Sequence, residues 1–165
     1  MNIQLSQIKP GLALVLLGLA FGIALGISFG IYEGDFKNYV AEGIAANPDL
    51  HEVNSPDKIW RYAQRAHFHS AGISAFSIGL LLLVSVSSIR EHLKKVTSIL
   101  IGLGGLYPFS WLAMFLLAPS IGRGAAHSHI IVELLTYVGV GSLVVGFLML
   151  VGNIYFGFLA ETSEA

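Results

Sequence analysis

The chain has no cysteine and little charge. Without cysteine there are no disulfides, no thiolate metal ligands and no cysteine nucleophiles. Charged residues fill 12% of the 165 positions, against about 25% in an ordinary soluble domain. That is too little to cover a soluble surface. Nine Lys+Arg against ten Asp+Glu leave a net charge of −1, and no basic stripe marks a nucleic-acid binder. Methionine occurs only three times, which argues against a soft Cu(I) conduit. No serine triad, phosphate loop or dinucleotide fingerprint is present. What the chain has instead is 55% apolar residues, 19 glycines and six histidines. The apolar share excludes a disordered chain and points to an integral membrane protein.

A helix needs about 20 apolar residues to cross about 30 Å of hydrocarbon. Four segments qualify: Pro10–Ile31, Ser70–Ile89, Val96–Ala118 and Ile130–Phe158. The sequence therefore predicts an all-α, single-domain, four-helix membrane bundle. The first segment is too long for a signal-peptide core and lacks a clear cleavage site, so it reads as a retained helix. The short loop Arg90-Glu91-His92-Leu93-Lys94-Lys95 is basic. By the positive-inside rule it faces the cytoplasm, with both termini, as in a bacterial inner-membrane protein. The stretch 32–69 and the loop 119–129 then face outward. Within the former, Asn47-Pro48 and Asn54-Ser55-Pro56 are turn signals. The run 57–66 carries Trp60 and Tyr62 among charges and suits a helix lying at the interface.

Four histidines form two His-x-His pairs, His67/His69 before the second span and His127/His129 before the fourth. These spans run in the same direction, so both pairs lie at the same membrane face. The two stretches align at an offset of 60 residues, matching Ala66/Ala126, His67/His127 and His69/His129. A two-helix unit repeated in tandem would place the pairs across one central cavity. Residues two apart on a helix point about 200° from each other. Either one member of each pair faces inward, which suits axial ligation of a haem, or the pairs lie in extended backbone, which suits zinc or copper. Glu133 stands four residues after His129 on the same helix face. A carboxyl inside a span needs a partner, for which His129, a bound metal, Arg65 and Arg123 are the candidates. His51 is a further outer-loop residue, and His92 lies on the basic loop.

In the first span Gly18, Gly22, Gly26, Gly30 and Gly34 recur every four residues. Such a bare face lets helices approach closely. It suits packing within the bundle, contact with a second copy or complex partner through Gly18, Gly22, Gly26 and Gly30, or a flat ligand. Pro108 should kink the third span.

Ala66-His67-Phe68-His69, leading into a glycine-bearing helix, resembles the motif of small four-helix membrane proteins related to subunit I of haem-copper oxidases. His129-Ile130-Ile131-Val132-Glu133 is similar to the His-xxx-Glu element at the non-haem iron site of nitric oxide reductases. The likeness covers residues 65–89 and 125–151. It implies haem or metal binding by helix-borne histidines. It does not extend to the three-histidine set of an oxygen-reducing centre, so no complete catalytic set is implied.

Three functions follow as expectations. The first is a membrane haem b protein for electron transfer or haem handling. One histidine of each pair would be an axial ligand, with Arg61, Arg65 and Arg123 near the propionates. The second is a copper or zinc site built from His67, His69, His127, His129 and Glu133. The third is a cofactor-free subunit of a larger membrane complex.

The missing cysteines make the orientation directly testable. A single cysteine at Asn54 should react with a membrane-impermeant maleimide in intact cells, whereas one at His92 should react only after permeabilisation. The reverse labelling pattern would invert the topology.

Overall fold

The computed structural model describes residues 5–160. Four helical segments are long and apolar enough to cross a membrane, and no strand occurs among the described residues. The chain is an all-α, multi-pass, four-helix membrane bundle. Its helices are α1 (Leu5–Ala46), α2 (Ser55–Val86), α3 (Glu91–Leu103), α4 (Tyr107–Ile121), the short α5 (Arg123–His127) and α6 (Ile130–Phe156). Together α3 and α4 make the third span, interrupted by the 3₁₀ turn Gly104–Leu106. Pro108 sits in the first turn of α4, where its missing N–H costs no helical hydrogen bond. The expected kink is therefore a change of helix type just before the proline.

Helices α1 and α2 run well past the apolar segments. At about 1.5 Å per residue, the 42 residues of α1 reach about 63 Å, about twice the hydrocarbon thickness. Nothing in 32–46 stops the helix before Asn47-Pro48. Tyr32 departs from helical geometry (φ −118°, ψ 23°) and kinks it. Beyond the kink, Lys37 pairs with Glu33 at i,i+4, 2.7 Å, and Phe36, Val40 and Ile44 turn one apolar face to the core. The run 57–66 is the first part of α2, continuous with the second span and packed on α1 and α4, and not a separate helix at the interface. Ile59, Ala63 and Ala66 are fully buried there, so protein and not lipid covers that face. The expected loop 32–69 shrinks to 47–54. Its end is tied where Ser55 Oγ accepts from the Glu52 backbone N–H, 2.9 Å, and where Lys58 reaches Glu52, 3.1 Å. That hydrogen bond and the Lys58 charge hold the Glu52 carboxyl below its ordinary pKa.

Two apolar cores stack along the bundle. One joins Val40, Ile59, Met114, Phe115 and Ala118. The other joins Ile8, Val15, Leu81, Ile101 and Leu150. Between them lies a zone of small residues, where α1 meets α2. Ser70 Oγ donates to the Gly18 carbonyl at 2.6 Å, and a Cβ on Gly22 would stand 3.0 Å from the Ala71 nitrogen. Gly11 meets the Ser98 backbone of α3 more closely still. Gly18, Gly22 and Gly26 are thus covered by α2, and only Gly30 and Gly34 of the ladder stay open. The first three are spent within the chain and are not available to a partner.

The fourth span rests almost entirely on the third and hardly touches α1 or α2. Its approach depends on Gly139, where a Cβ would lie 2.6 Å from the Tyr107 nitrogen. At the far end, buried Asn153 donates to Ser88 Oγ at 3.1 Å and accepts from the Leu159 N–H at 3.2 Å, so the one amide in this span is satisfied at both ends. Lys94 of the basic loop is 5% exposed and donates to the Ser85 carbonyl at the end of α2, 3.3 Å.

Two glycine substitutions should separate packing from propensity. Gly139→Ala should destabilise the protein by about 1–3 kcal/mol through overpacking. Gly30→Ala, in open space, should stabilise it by about 0.5–1 kcal/mol by removing glycine's conformational freedom. Thermal unfolding in detergent measures both, and equal effects would contradict the packing assigned to Gly139.

Candidate functional site

The two histidines of the first pair point to opposite sides of α2, as helical spacing requires. His67 turns to α1. Its Nδ1–H donates to the Gly22 carbonyl at 2.8 Å, and a Cβ at Gly26 would stand 2.7 Å from its Cε1. Only glycine at 26 leaves room for the ring. His67 lies edge-on to Phe29 at 6.2 Å and near Phe68 at 5.2 Å. Beside it is an opening of about 260 Å³, bounded by Gly30, Glu33, Trp60, Gln64 and Phe68. Phe68 is 66% exposed, so the opening lies on the outer flank of the bundle. Because Nδ1 carries the proton, the lone pair of His67 is on Nε2. This is how a protein fixes the tautomer of a ligating imidazole.

His69 turns to α4. Its Nδ1–H donates to the Arg65 carbonyl one turn back at 2.8 Å. The ring packs against Tyr107 at 5.3 Å and Trp111 at 5.7 Å. The Arg65 guanidinium lies over the Trp111 ring at 4.6 Å, a cation–π contact. Arg123 Nε donates to the Tyr62 hydroxyl at 3.3 Å, and Tyr62 in turn packs on Trp111 at 5.8 Å. Trp111 is therefore the hub of a cluster that takes up two of the three arginines expected near a cofactor. Arg61 stays exposed on α2, one turn before Gln64 and Arg65.

The second pair straddles a helix junction. His127 ends α5, and His129 is extended (φ −69°, ψ 134°) as the N-cap of α6. His129 Nδ1 accepts from the Ile131 N–H at 3.3 Å, so its remaining nitrogen carries a proton. His127 and Glu133 line a cleft of about 130 Å³ against Tyr107 and Trp111. The Glu133 side chain makes no hydrogen bond or ion pair with His129, Arg65 or Arg123, the partners the sequence suggested. It lies in the first turn of α6, where the positive end of the helix dipole favours a carboxylate. That depth, set by where α6 starts, explains how the chain tolerates it.

The two pairs do not face one central cavity. Tyr107 and Trp111 of the third span fill the space, with His69 on one side and the His127–Glu133 cleft on the other. The third span also separates α2 from α6, so the pattern of a two-fold repeat around an open centre does not form. Among the described residues no three His, Asp or Glu side chains gather closely enough to hold one metal ion. His51 is drawn into structure as well, its Nε2–H donating to the Pro119 carbonyl at 3.0 Å. Trp111 and Tyr107 escaped the sequence reading. The only signal was their i,i+4 spacing, which puts both rings on one face of the third span.

Trp111→Ala should cost about 3 kcal/mol of stability, since it removes the surface on which Arg65, His69, Tyr62 and Tyr107 all pack. Trp111→Phe should recover most of it. A thermal melt showing no difference between the two variants would remove Trp111 from this role. No protein-family model matches the chain, and no curated protein or solved structure is similar to it.

Proposed function

We propose that the chain is a membrane haem b protein, in which His67 would hold the iron, serving electron transfer or haem handling. The observation that carries this reading is the His67 imidazole. Its Nδ1–H is held by the Gly22 carbonyl, and its Nε2 lone pair is left unused beside a glycine-floored, aromatic-walled opening. Bare backbone at Gly30 and the faces of Phe29, Trp60 and Phe68 suit a flat apolar ring. Lys37, which pairs with Glu33 and stands 5.8 Å from the Trp60 ring, and the exposed Arg61, one turn before Gln64 on α2, are the cations on these elements that would meet propionates. When bound, haem supplies one-electron exchange.

About 260 Å³ is less than the 300–1,000 Å³ that encloses a drug-sized ligand. One chain therefore covers only one side of a porphyrin. The histidines of the second pair do not line this opening. A second copy, docked across the open Gly30 and Gly34, would bring its own His67 and close the site by two-fold symmetry. In the orientation with the basic loop cytoplasmic, this site lies toward the outer face.

A second reading has its own support. The same hydrogen bonds that fix His67 and His69 also satisfy them as polar links between and within helices, as expected of a cofactor-free subunit.

A visible spectrum and metal analysis of the purified protein distinguish these readings. The haem reading expects a Soret band at one haem per two chains, lost in His67→Ala and kept in His69→Ala and His129→Ala. Stoichiometric copper or zinc without a Soret band would replace it with a metal site. If haem is not taken up even on reconstitution, the cofactor-free reading stands.

A further inference from the structure

Arg65 and Arg123 converge on one aromatic cluster that holds no carboxylate. The Arg65 guanidinium lies over the Trp111 ring at 4.6 Å. Arg123 Nε donates to the Tyr62 hydroxyl at 3.3 Å, and the Tyr62 and Trp111 rings are 5.8 Å apart. Tyr62 and Arg65 stand at i,i+3 on α2 and are neighbours on its surface. The ion pairs on this side of the molecule join Lys37 to Glu33 and Lys58 to Glu52. Glu52 senses the Arg123 charge, but its hydrogen bond goes to Lys58. Glu133, in the cleft on the α6 side of Trp111, pairs with neither arginine. Among the described residues, Arg65 and Arg123 make no ion pair.

Their contacts leave most of each guanidinium free. An aromatic ring covers only the face of the ion, and the N–H groups point outward in its plane. Arg123 donates from Nε and keeps both terminal amino groups. The Trp111 indole N–H is buried without an acceptor as well, so the cluster has unused donors and no anion. Arg123 is half-buried, where an unpaired charge is costly. Depth indicates which anion is at hand. A crossing of about 20 residues that ends with α2 at Val86 begins near His67. Tyr62 and Arg65 then stand within about 8 Å outside the hydrocarbon, at the level of phospholipid headgroups.

We propose that Arg65 and Arg123 bind the phosphate of an anionic phospholipid at the membrane surface where α2 enters. A guanidinium fork matches two phosphate oxygens, and the aromatic base fixes both forks before the lipid arrives. A choline headgroup would bring a further cation beside the two arginines, so the site prefers phosphatidylglycerol to phosphatidylcholine. No part of the His67 opening enters this proposal, which stands whether or not haem binds.

The chain has two tryptophans, so Trp60→Phe leaves Trp111 as the only indole reporter. The basic loop 90–95 lies at the other end of the bundle, away from this reporter. With Trp60→Phe in phosphatidylcholine bilayers, brominated phosphatidylglycerol should quench Trp111 with a relative binding constant about fivefold above that of brominated phosphatidylcholine. Arg65→Gln and Arg123→Gln should each lower this preference, and the double variant should abolish it. Arg65→Lys, which keeps the charge and loses the fork, should retain only part of it at an unchanged melting temperature. Arg90→Gln, on the opposite surface, should retain all of it. Equal quenching by the two lipids in Trp60→Phe would overturn the proposal, whatever becomes of the arginine variants. A preference that survives the folded double variant, or one that is lost in Arg90→Gln, would do the same. A preference abolished by inorganic phosphate would assign the site to a free anion and overturn the lipid.

Discussion

The close approach of α1 to α2 governs most of what this structure does. It exists because α1 presents Gly18, Gly22 and Gly26 where α2 presents Ser74, Ser70 and His67. In a membrane no hydrophobic force drives helices together, so packing and short polar contacts must do so. Here the contacts are side chain to backbone. Ser70 reaches the Gly18 carbonyl and His67 the Gly22 carbonyl. Each needs a glycine nearby, because a Cβ at Gly22 or Gly26 would press on the partner side chain. The same strip therefore sets the interhelical distance and the tautomer of His67.

The aromatic cluster plays the corresponding part on the other side of α2. Trp111 receives Arg65 on its face and has His69, Tyr62 and Tyr107 around it. The cluster sits where the third span passes between the second and the fourth. With Tyr107, Trp111 keeps the two histidine pairs apart. It also leaves a small cleft on its far side, floored by α6, into which Glu133 and His127 turn.

The extension of α1 and α2 beyond the apolar segments gives the molecule a second, outer core. Val40, Ile59, Phe115 and Ala118 pack there much as in a soluble helical bundle, while the inner core of Ile8, Leu81, Ile101 and Leu150 lies between spans. The kink at Tyr32 stands near the junction of the two regimes. The His67 opening lies beside it, where Gly30 and Gly34 leave the backbone of α1 uncovered.

Four apolar runs, little charge and no cysteine were enough to determine an all-α membrane bundle, because the bilayer requires each crossing segment to satisfy its own backbone. The opposite directions of His67 and His69 follow from helical period once α2 covers both, whereas the sequence left extended backbone open as the alternative. The continuity of 57–66 with the second span was not legible, since its charges and aromatics suit an interface as well as the start of a packed helix. Nor was the use of the glycine ladder, because a bare strip fits an internal helix, a partner or a ligand equally until the neighbour is known. The fate of Glu133 was decided only in three dimensions. Sequence spacing put it beside His129, but His129 turned its Nδ1 to cap α6, and Arg65 and Arg123 were held by Trp111 and Tyr62. Local spacing fixes which residues share a face. Which of them meet depends on what the third span places between them, and that is set by side chains distant in the chain.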